Sequence, residues 1–320
     1  MTTMLFVGRE HGITLLKREG DTWKELRTAL TGRHITSVTA QQHVLLAGAR
    51  DGIVRSSDDG QTWWEVEDAP SPSHIRWIIQ HPDDADWVYA GTEPAAIFVS
   101  EDGGRHWDES PEVADLRDRH GWWLPYSPEA GCVRGFAFHG LRGYAAVEQG
   151  GLLRSEDRGQ HWRLVEGSRT DDKSSALHPD VHSVEVHPST PDRVFAPTGG
   201  GLFYSTDGGE GWEQLYDCYC RAVWLDPGDR GHFILGPADG VDKMGRIEET
   251  IDNGKTWEPV MDGVTGPWSD YMVERFVQVE NRLLAVLSDG SLLDADLDDL
   301  VWKKVLPDAQ RVTSVAAFFV

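Results

Sequence analysis

The chain has 320 residues, enough for two or three ordinary domains or for one large closed β architecture. Its 53 acidic and 30 basic residues give a formal charge of −23, and only seven of the basic residues are lysines; a nucleic-acid surface and docking to an anionic membrane both need a basic face and are set aside. With 34 glycines, 14 tryptophans and no apolar run near the roughly 20 residues of a membrane helix, a soluble, turn-rich protein is expected.

In chain order, the first residues show no basic leader and run straight into a strand-like Leu5-Phe6-Val7-Gly8, so no signal peptide is expected. The three cysteines, Cys132, Cys218 and Cys220, lack metal-type spacing and read as free thiols of a reducing cytoplasm. A pattern [S/T]-x-D-x-G-x-x-W then recurs five times, as Ser56 to Trp63, Ser100 to Trp107, Ser155 to Trp162, Ser205 to Trp212 and Thr250 to Trp257. Its aspartates are Asp58, Asp102, Asp157, Asp207 and Asp252, and successive tryptophans are 44, 55, 50 and 45 residues apart. Degenerate copies end at Trp23 and Trp302, which makes seven units.

Each unit holds four strand-like runs, clearest in the third: His74–Gln80, Trp87–Gly91, Ala96–Ser100 and His106–Glu109. Four short strands per unit predict an all-β fold, a seven-bladed β-propeller of four-stranded antiparallel blades occupying 1–320 as one domain. Blades are expected near 33–67, 74–110, 132–166, 181–217, 219–261 and 272–306, with one more assembled from 311–320 and 1–29. The chain begins on a second-strand pattern and ends on an unpartnered first-strand pattern, Val312 to Phe318, so pairing the two closes the ring and removes an open edge.

The repeated motif resembles the Asp-box, or bacterial neuraminidase repeat, of sialidases, xyloglucan-cleaving enzymes, sortilin-type receptors and a photosystem assembly factor. That resemblance implies a hairpin between the third and fourth strands of each blade, on the face opposite the ligand mouth. The residue chemistry agrees with a structural role: the carboxylate accepts turn N–H groups, glycine supplies a positive φ, and tryptophan packs the hairpin down. The resemblance stops short of catalytic machinery. No Arg-Ile-Pro occurs, seven units replace the six of sialidases, and no motif marks Tyr126, Tyr219 or Tyr271 as a nucleophile. A glycosyl-hydrolase-like activity is thus implied only by analogy of fold.

Aligning the units predicts what faces the mouth. The innermost strands contribute Thr36, Arg76, Arg134, His182, Arg221, Glu274 and Thr313, and the return loops on the same face contribute Glu10, Arg50, Glu93, Glu148, Thr198, Pro237 and Ser288. Two long connections, 110–131 and 167–180, open on that face; the first carries Trp122, Trp123 and Tyr126 and is expected to form an aromatic lid, while the second is polar and expected to be mobile. Arg76, Arg134 and Arg221 are candidate anion clamps, Trp122, Trp123 and Tyr126 a stacking lid, and Glu93, Glu148 and His182 candidate acid–base groups, with Asp180 orienting His182. The competing reading pairs Arg76 with Glu93 and Arg134 with Glu148 as plain salt bridges. His178, Asp180 and His182 are too sparse for a metal site, so no metal or cofactor is expected.

The functional expectation is a cytoplasmic binder of a small anionic or polyhydroxylated ligand, or a glycosidase-like hydrolase; the alternative is a protein-interaction or assembly scaffold. Partners are then a small anion or carbohydrate, or a protein. Acidic residues crowd the hairpins and outer strands, as in Asp58-Asp59 and Asp294 to Asp299, a distribution that also fits a salt-loving host.

Overall fold

A computed structural model describes residues 2–70, 74–127, 129–168, 176–306 and 311–319. They form seven four-stranded antiparallel sheets arranged as the blades of a propeller. Blade 1 is completed across the termini: Val312–Phe319 is its inner strand and pairs antiparallel with Thr3–Arg9, from Thr3 opposite Phe319 to Gly8 opposite Ser314. Blades 2 to 7 follow in sequence, with inner strands Ile35–Gln41, Ile75–His81, Cys132–His139, Glu185–Val186, Tyr219–Leu225 and Val273–Val279.

The core is divided in the same way. Seven buried apolar clusters each lie between two neighbouring blades, so the hydrophobic contribution to stability is distributed around the ring rather than held at a centre. The repeated motif supplies a second tie. In the third blade Asp102 Oδ1 accepts the N–H groups of Arg105 (2.9 Å) and His106 (3.0 Å), Ser100 Oγ donates to Asp102 at 2.9 Å, and Trp107 Nε1 donates to Gly104 O at 3.3 Å. Gly104 has φ +83°, and a Cβ there would come within 2.8 Å of Leu46 on the preceding blade. The same turn is gripped from behind by Arg55, whose Nε donates to Gly103 O at 2.8 Å. Tyr89 and Tyr144 do the same for the next two turns, donating to Arg158 O and Gly208 O at 2.7 Å each. The motif thus clamps each blade to its predecessor, on the face away from the mouth.

The degenerate copies keep the tryptophan and change its acceptor: Trp23 Nε1 donates to Asp294 (3.0 Å) and Trp302 Nε1 to Val260 O (2.9 Å), each on the preceding blade. The connection 110–131, expected from sequence to form an aromatic lid, begins as a helix. This helix, Pro111–His120, has proline in its first turn and Gly121 closing it in the left-handed region, and its Glu112 accepts the N–H of Trp162 at 2.8 Å. Most of the other long connection, 169–175, lies outside the described residues. Among the described residues no helix is long and apolar enough to cross a membrane.

Candidate functional site

Six of the seven inner strands carry a register irregularity near their mouth end, and the skipped positions include Thr36, Arg76, Arg134, Arg221, Glu274 and Thr313. A bulged residue is released from the ladder, so its side chain can be aimed away from the pleat. That is how the sequence column becomes a ring. In blade 5 the ladder is looser still: Pro197, in the second strand, has no N–H to offer, and His182 N and Ser183 N both donate to its carbonyl, at 2.9 and 3.5 Å.

On the side of blades 3 to 6 the ring is closed by ion pairs. Arg76 Nη1 donates to Glu93 at 2.8 Å, Arg134 to Glu148 at 2.9 Å and to Glu274 at 3.2 Å, and Arg221 to the other oxygen of Glu274. Glu93 and Glu148 are buried, and Glu93 also accepts from Ser127 Oγ at 2.8 Å. Burial opposes the charge on Glu148, yet the Arg134 guanidinium, followed by His182 and the Tyr126 hydroxyl, brings its carboxyl down to about 2. A group that stays ionised to such acidity is no proton donor near neutral pH.

His182 is buried. Its Nδ1 lies 2.9 Å from Cys220 O, which can only accept, so Nδ1 carries a proton; Nε2 sits between Asp180 Oδ2 (3.2 Å) and the Tyr219 hydroxyl (3.3 Å). Glu148, Asp180 and His182 bring ligand-type atoms within 4.8 Å of one another, a grouping that replaces the His178 combination weighed from sequence. The Arg134 guanidinium already supplies a cation to this group. His178 instead accepts from Asp180 N at 3.2 Å through Nδ1.

The aromatic segment is divided by the structure. Trp122 is only 3 % exposed and packs in the core between blades 3 and 4, so it is not available to stack on a ligand; its spacing from the helix turns it inward. Trp123 and Tyr126 are 58 and 57 % exposed.

The open part of the mouth is walled mainly by blades 7, 1, 2 and 3 and reaches Arg134, His182 and Ser183 of blades 4 and 5. A cavity of about 480 Å3 there is lined by six of the seven expected ring residues, all but Arg221, and also by His34, Arg50, His74 and Arg275. Arg221, Glu93, Glu148 and the Trp122–Tyr126 segment do not line it. Arg275 reaches over the ring of Trp77, 3.8 Å from its centroid, and its Nη1 donates to Ser314 Oγ at 2.6 Å; its Nε is sealed from solvent without an acceptor. Trp77 follows Arg76 down the inner strand, so this stack forms the floor. Burial lowers the Arg275 pKa to about 10, which still leaves it charged at neutral pH. Glu185, on the inner strand of blade 5, is exposed, yet the surrounding bulk of protein raises its carboxyl to about 8, with Arg275 pulling the other way. On the rim, Arg50 is exposed and its guanidinium has no carboxylate or hydrogen-bond partner among the described residues, whereas Arg311 meets Glu10 at 3.1 Å.

The sequence reading placed Arg50 in the return-loop column without assigning it a role, and it passed over His34, His74 and Arg275. A signal for the histidines exists: the residues just before the inner-strand apolar position read His34, His74, Cys132, Asp180, Tyr219, Met272 and Arg311, which puts two imidazoles on adjacent blades. Arg275 carried no such signal, because the bulge that redirects it is a property of pairing. A second pocket of about 370 Å3, beside blade 7, is built on the stacked rings of Trp268 and Tyr271, 5.1 Å apart.

Fold and mouth define the class, a closed seven-bladed β-propeller with a charged cavity on the face opposite its motif turns. Solved structures share this fold. An ancestral GH74 enzyme superimposes with TM-score 0.63 at 16 % identity over 89 % of this chain, which spans only 38 % of that enzyme. YCF48 from Cyanidioschyzon merolae superimposes with TM-score 0.62 at 14 % identity, over 93 % of this chain and 96 % of that one, and YCF48 bound to D1 peptide with TM-score 0.60 at 16 % identity, over 87 and 83 %. These likenesses are of fold. No protein-family model matches the sequence, and no curated protein matches it either.

Proposed function

We propose that the protein is a binding propeller that captures an anionic group in the cavity walled mainly by blades 7, 1, 2 and 3, without covalent chemistry. The observation that carries this is the pair Arg50 and Arg275, two guanidiniums facing one cavity with no carboxylate within ion-pair distance among the described residues. An arginine left unpaired beside an enclosed space is suited to a carboxylate or phosphate from outside. Hydrolysis is the weaker reading. GH74 likeness extends to the fold, while Glu93 and Glu148 are each held by an arginine and Glu148 stays ionised, so Glu148 is not the general acid that glycoside cleavage needs.

A second reading, a protein partner presenting an acidic side chain or a terminal carboxylate, is favoured by Trp123 and Tyr126, both more than half exposed, and is in keeping with a neighbour solved with a peptide. Titration calorimetry with acetate, phosphate and glucuronate tests the main reading: heat saturating at one site, weakened about tenfold or more by Arg50→Ala, is expected. Binding unaffected by Arg50→Ala, or no binding of any small anion at millimolar concentration, refutes it.

A further inference from the structure

Resting on that reading and narrowing it, we propose that the cavity is a site for a doubly charged oxyanion, the head of a phosphate monoester, and that its binding draws protons from solvent onto His34 and His74. Three observations lead there.

The first is charge. Within the cavity Arg134 is answered by Glu148 and Glu274, Arg76 by Glu93, and Arg311 by Glu10. Arg50 and Arg275 have no carboxylate within ion-pair distance among the described residues, and the remaining wall carboxylate, Asp289, accepts from Ser291 N (2.8 Å) and Oγ (2.9 Å) instead, which leaves two guanidiniums open to an anion from outside. A carboxylate would neutralise one of them. A phosphate monoester carries about −1.5 to −2 near neutral pH and offers three acceptor oxygens.

The second is the placement of the imidazoles. His34 and His74 occupy equivalent positions on adjacent blades, each one residue above an inner strand, and both line the cavity. Their backbones are fixed, since Arg50 N donates to His34 O at 3.4 Å and Glu93 N to His74 O at 3.0 Å. Neither His34 nor His74 has a side-chain hydrogen bond among the described residues, and Glu93 lies 3.8 Å from His74 Nδ1. Two donors-in-waiting thus stand near Arg50 and Arg76, in the cavity that Arg275 also lines.

The third is what surrounds those rings. His34 is held toward its neutral form first by burial and then by Arg50, with Glu10 opposing and His11 and Arg76 adding to the effect. His74 is held there first by burial and then by Arg76, with Glu93 opposing and Arg50 and His34 adding. A dianion placed among these groups cancels the repulsion from Arg50 and Arg76, so each ring can take a proton from water and donate a hydrogen bond to an oxyanion oxygen. The remaining volume, down to the Trp77 floor, is room for the organic part of the ester.

The test is calorimetry on the full chain with sulfate, inorganic phosphate and acetate, in two non-phosphate buffers of equal pH near 7 and different ionisation enthalpy. Sulfate is a dianion that does not itself titrate there, so any buffer dependence of its binding heat reports protons taken up by the protein. Sulfate and phosphate are expected to bind about tenfold or more tighter than acetate, with net proton uptake. Arg50→Ala should weaken both dianions, and His34→Gln with His74→Gln should abolish the uptake while leaving the melting profile cooperative. If that double variant fails to fold, each single variant should remove part of the uptake. Acetate binding as tightly as the dianions, or sulfate binding without uptake, overturns this proposal and leaves the anion-binding function standing; binding of none of the three overturns both.

Discussion

The two sides of the propeller mouth are assembled from the same strand position and end in different electrostatic states. Toward blades 3 to 6, three arginines meet three glutamates, Arg76 with Glu93, Arg134 with Glu148 and Glu274, and Arg221 with Glu274. Toward blades 7, 1 and 2, Arg50 and Arg275 face the cavity with no carboxylate within ion-pair distance among the described residues. One side uses its charge to bind blades together, and the other leaves two guanidiniums without a carboxylate partner among the described residues. Enrichment of arginine at a mouth is therefore no measure of ligand binding until its partners are counted.

The strongest way to break the comparison is to remove a wall of the open side. Truncation before Arg311 deletes the inner strand of blade 1, in which Val312, Val315 and Phe318 are buried, exposing roughly 5–9 kcal/mol of apolar contact, comparable with the stability of a whole domain. Loss of a cooperative melt is expected; an unchanged melting temperature would show that the ring does not need its closing strand.

Glu148→Gln should come next, costing roughly 3 kcal/mol by urea unfolding near neutral pH, because it leaves the Arg134 guanidinium short of a buried partner. The pH dependence sharpens the point. The folded Glu148 carboxyl lies below its ordinary value of 4.5, so its stabilisation is complete above that pH and is lost as pH falls from about 4.5 toward about 2. The variant should show a shallower acid slope in that window, and an identical slope would mean the pair contributes nothing.

His34 and His74 predict a smaller effect on the open side. Both are held below 6.5, so the unfolded chain binds protons that the folded one resists, and stability should fall as pH drops below about 6.5. Replacing both with glutamine should flatten that limb in dilute buffer. Smallest of all is Arg50→Ala, expected to change stability by less than about 0.5 kcal/mol, since it breaks no contact, while removing anion affinity. A large loss of stability would place Arg50 with the paired arginines.

Particular residues show how far the sequence could be read. Ser100, Asp102, Gly104 and Trp107 satisfy one another within eight positions, so the turn, and with it the repeat, can be recognised in any copy without knowing the fold. The helix Pro111–His120 was also signalled, by Pro111 and Gly121 at its ends, but the aromatic run after it drew the lid reading. Trp122 and Trp123 are indistinguishable in sequence, and only the packing of blades 3 and 4 separates the buried one from the exposed one.

By itself, then, the sequence determined the number of blades, the local structure of their turns and the closing of the ring through its own ends, because each of those rests on contacts local to a repeat or on a strand left without a partner. Which arginines are spent and which are free was decided only by the tertiary structure. Glu274 serves Arg221 and Arg134, 53 and 140 residues away, and Arg275 crosses the channel to Trp77. Charge pairing falls off with distance in space and takes no account of distance along the chain, so it becomes legible only when the ring has brought the blades together.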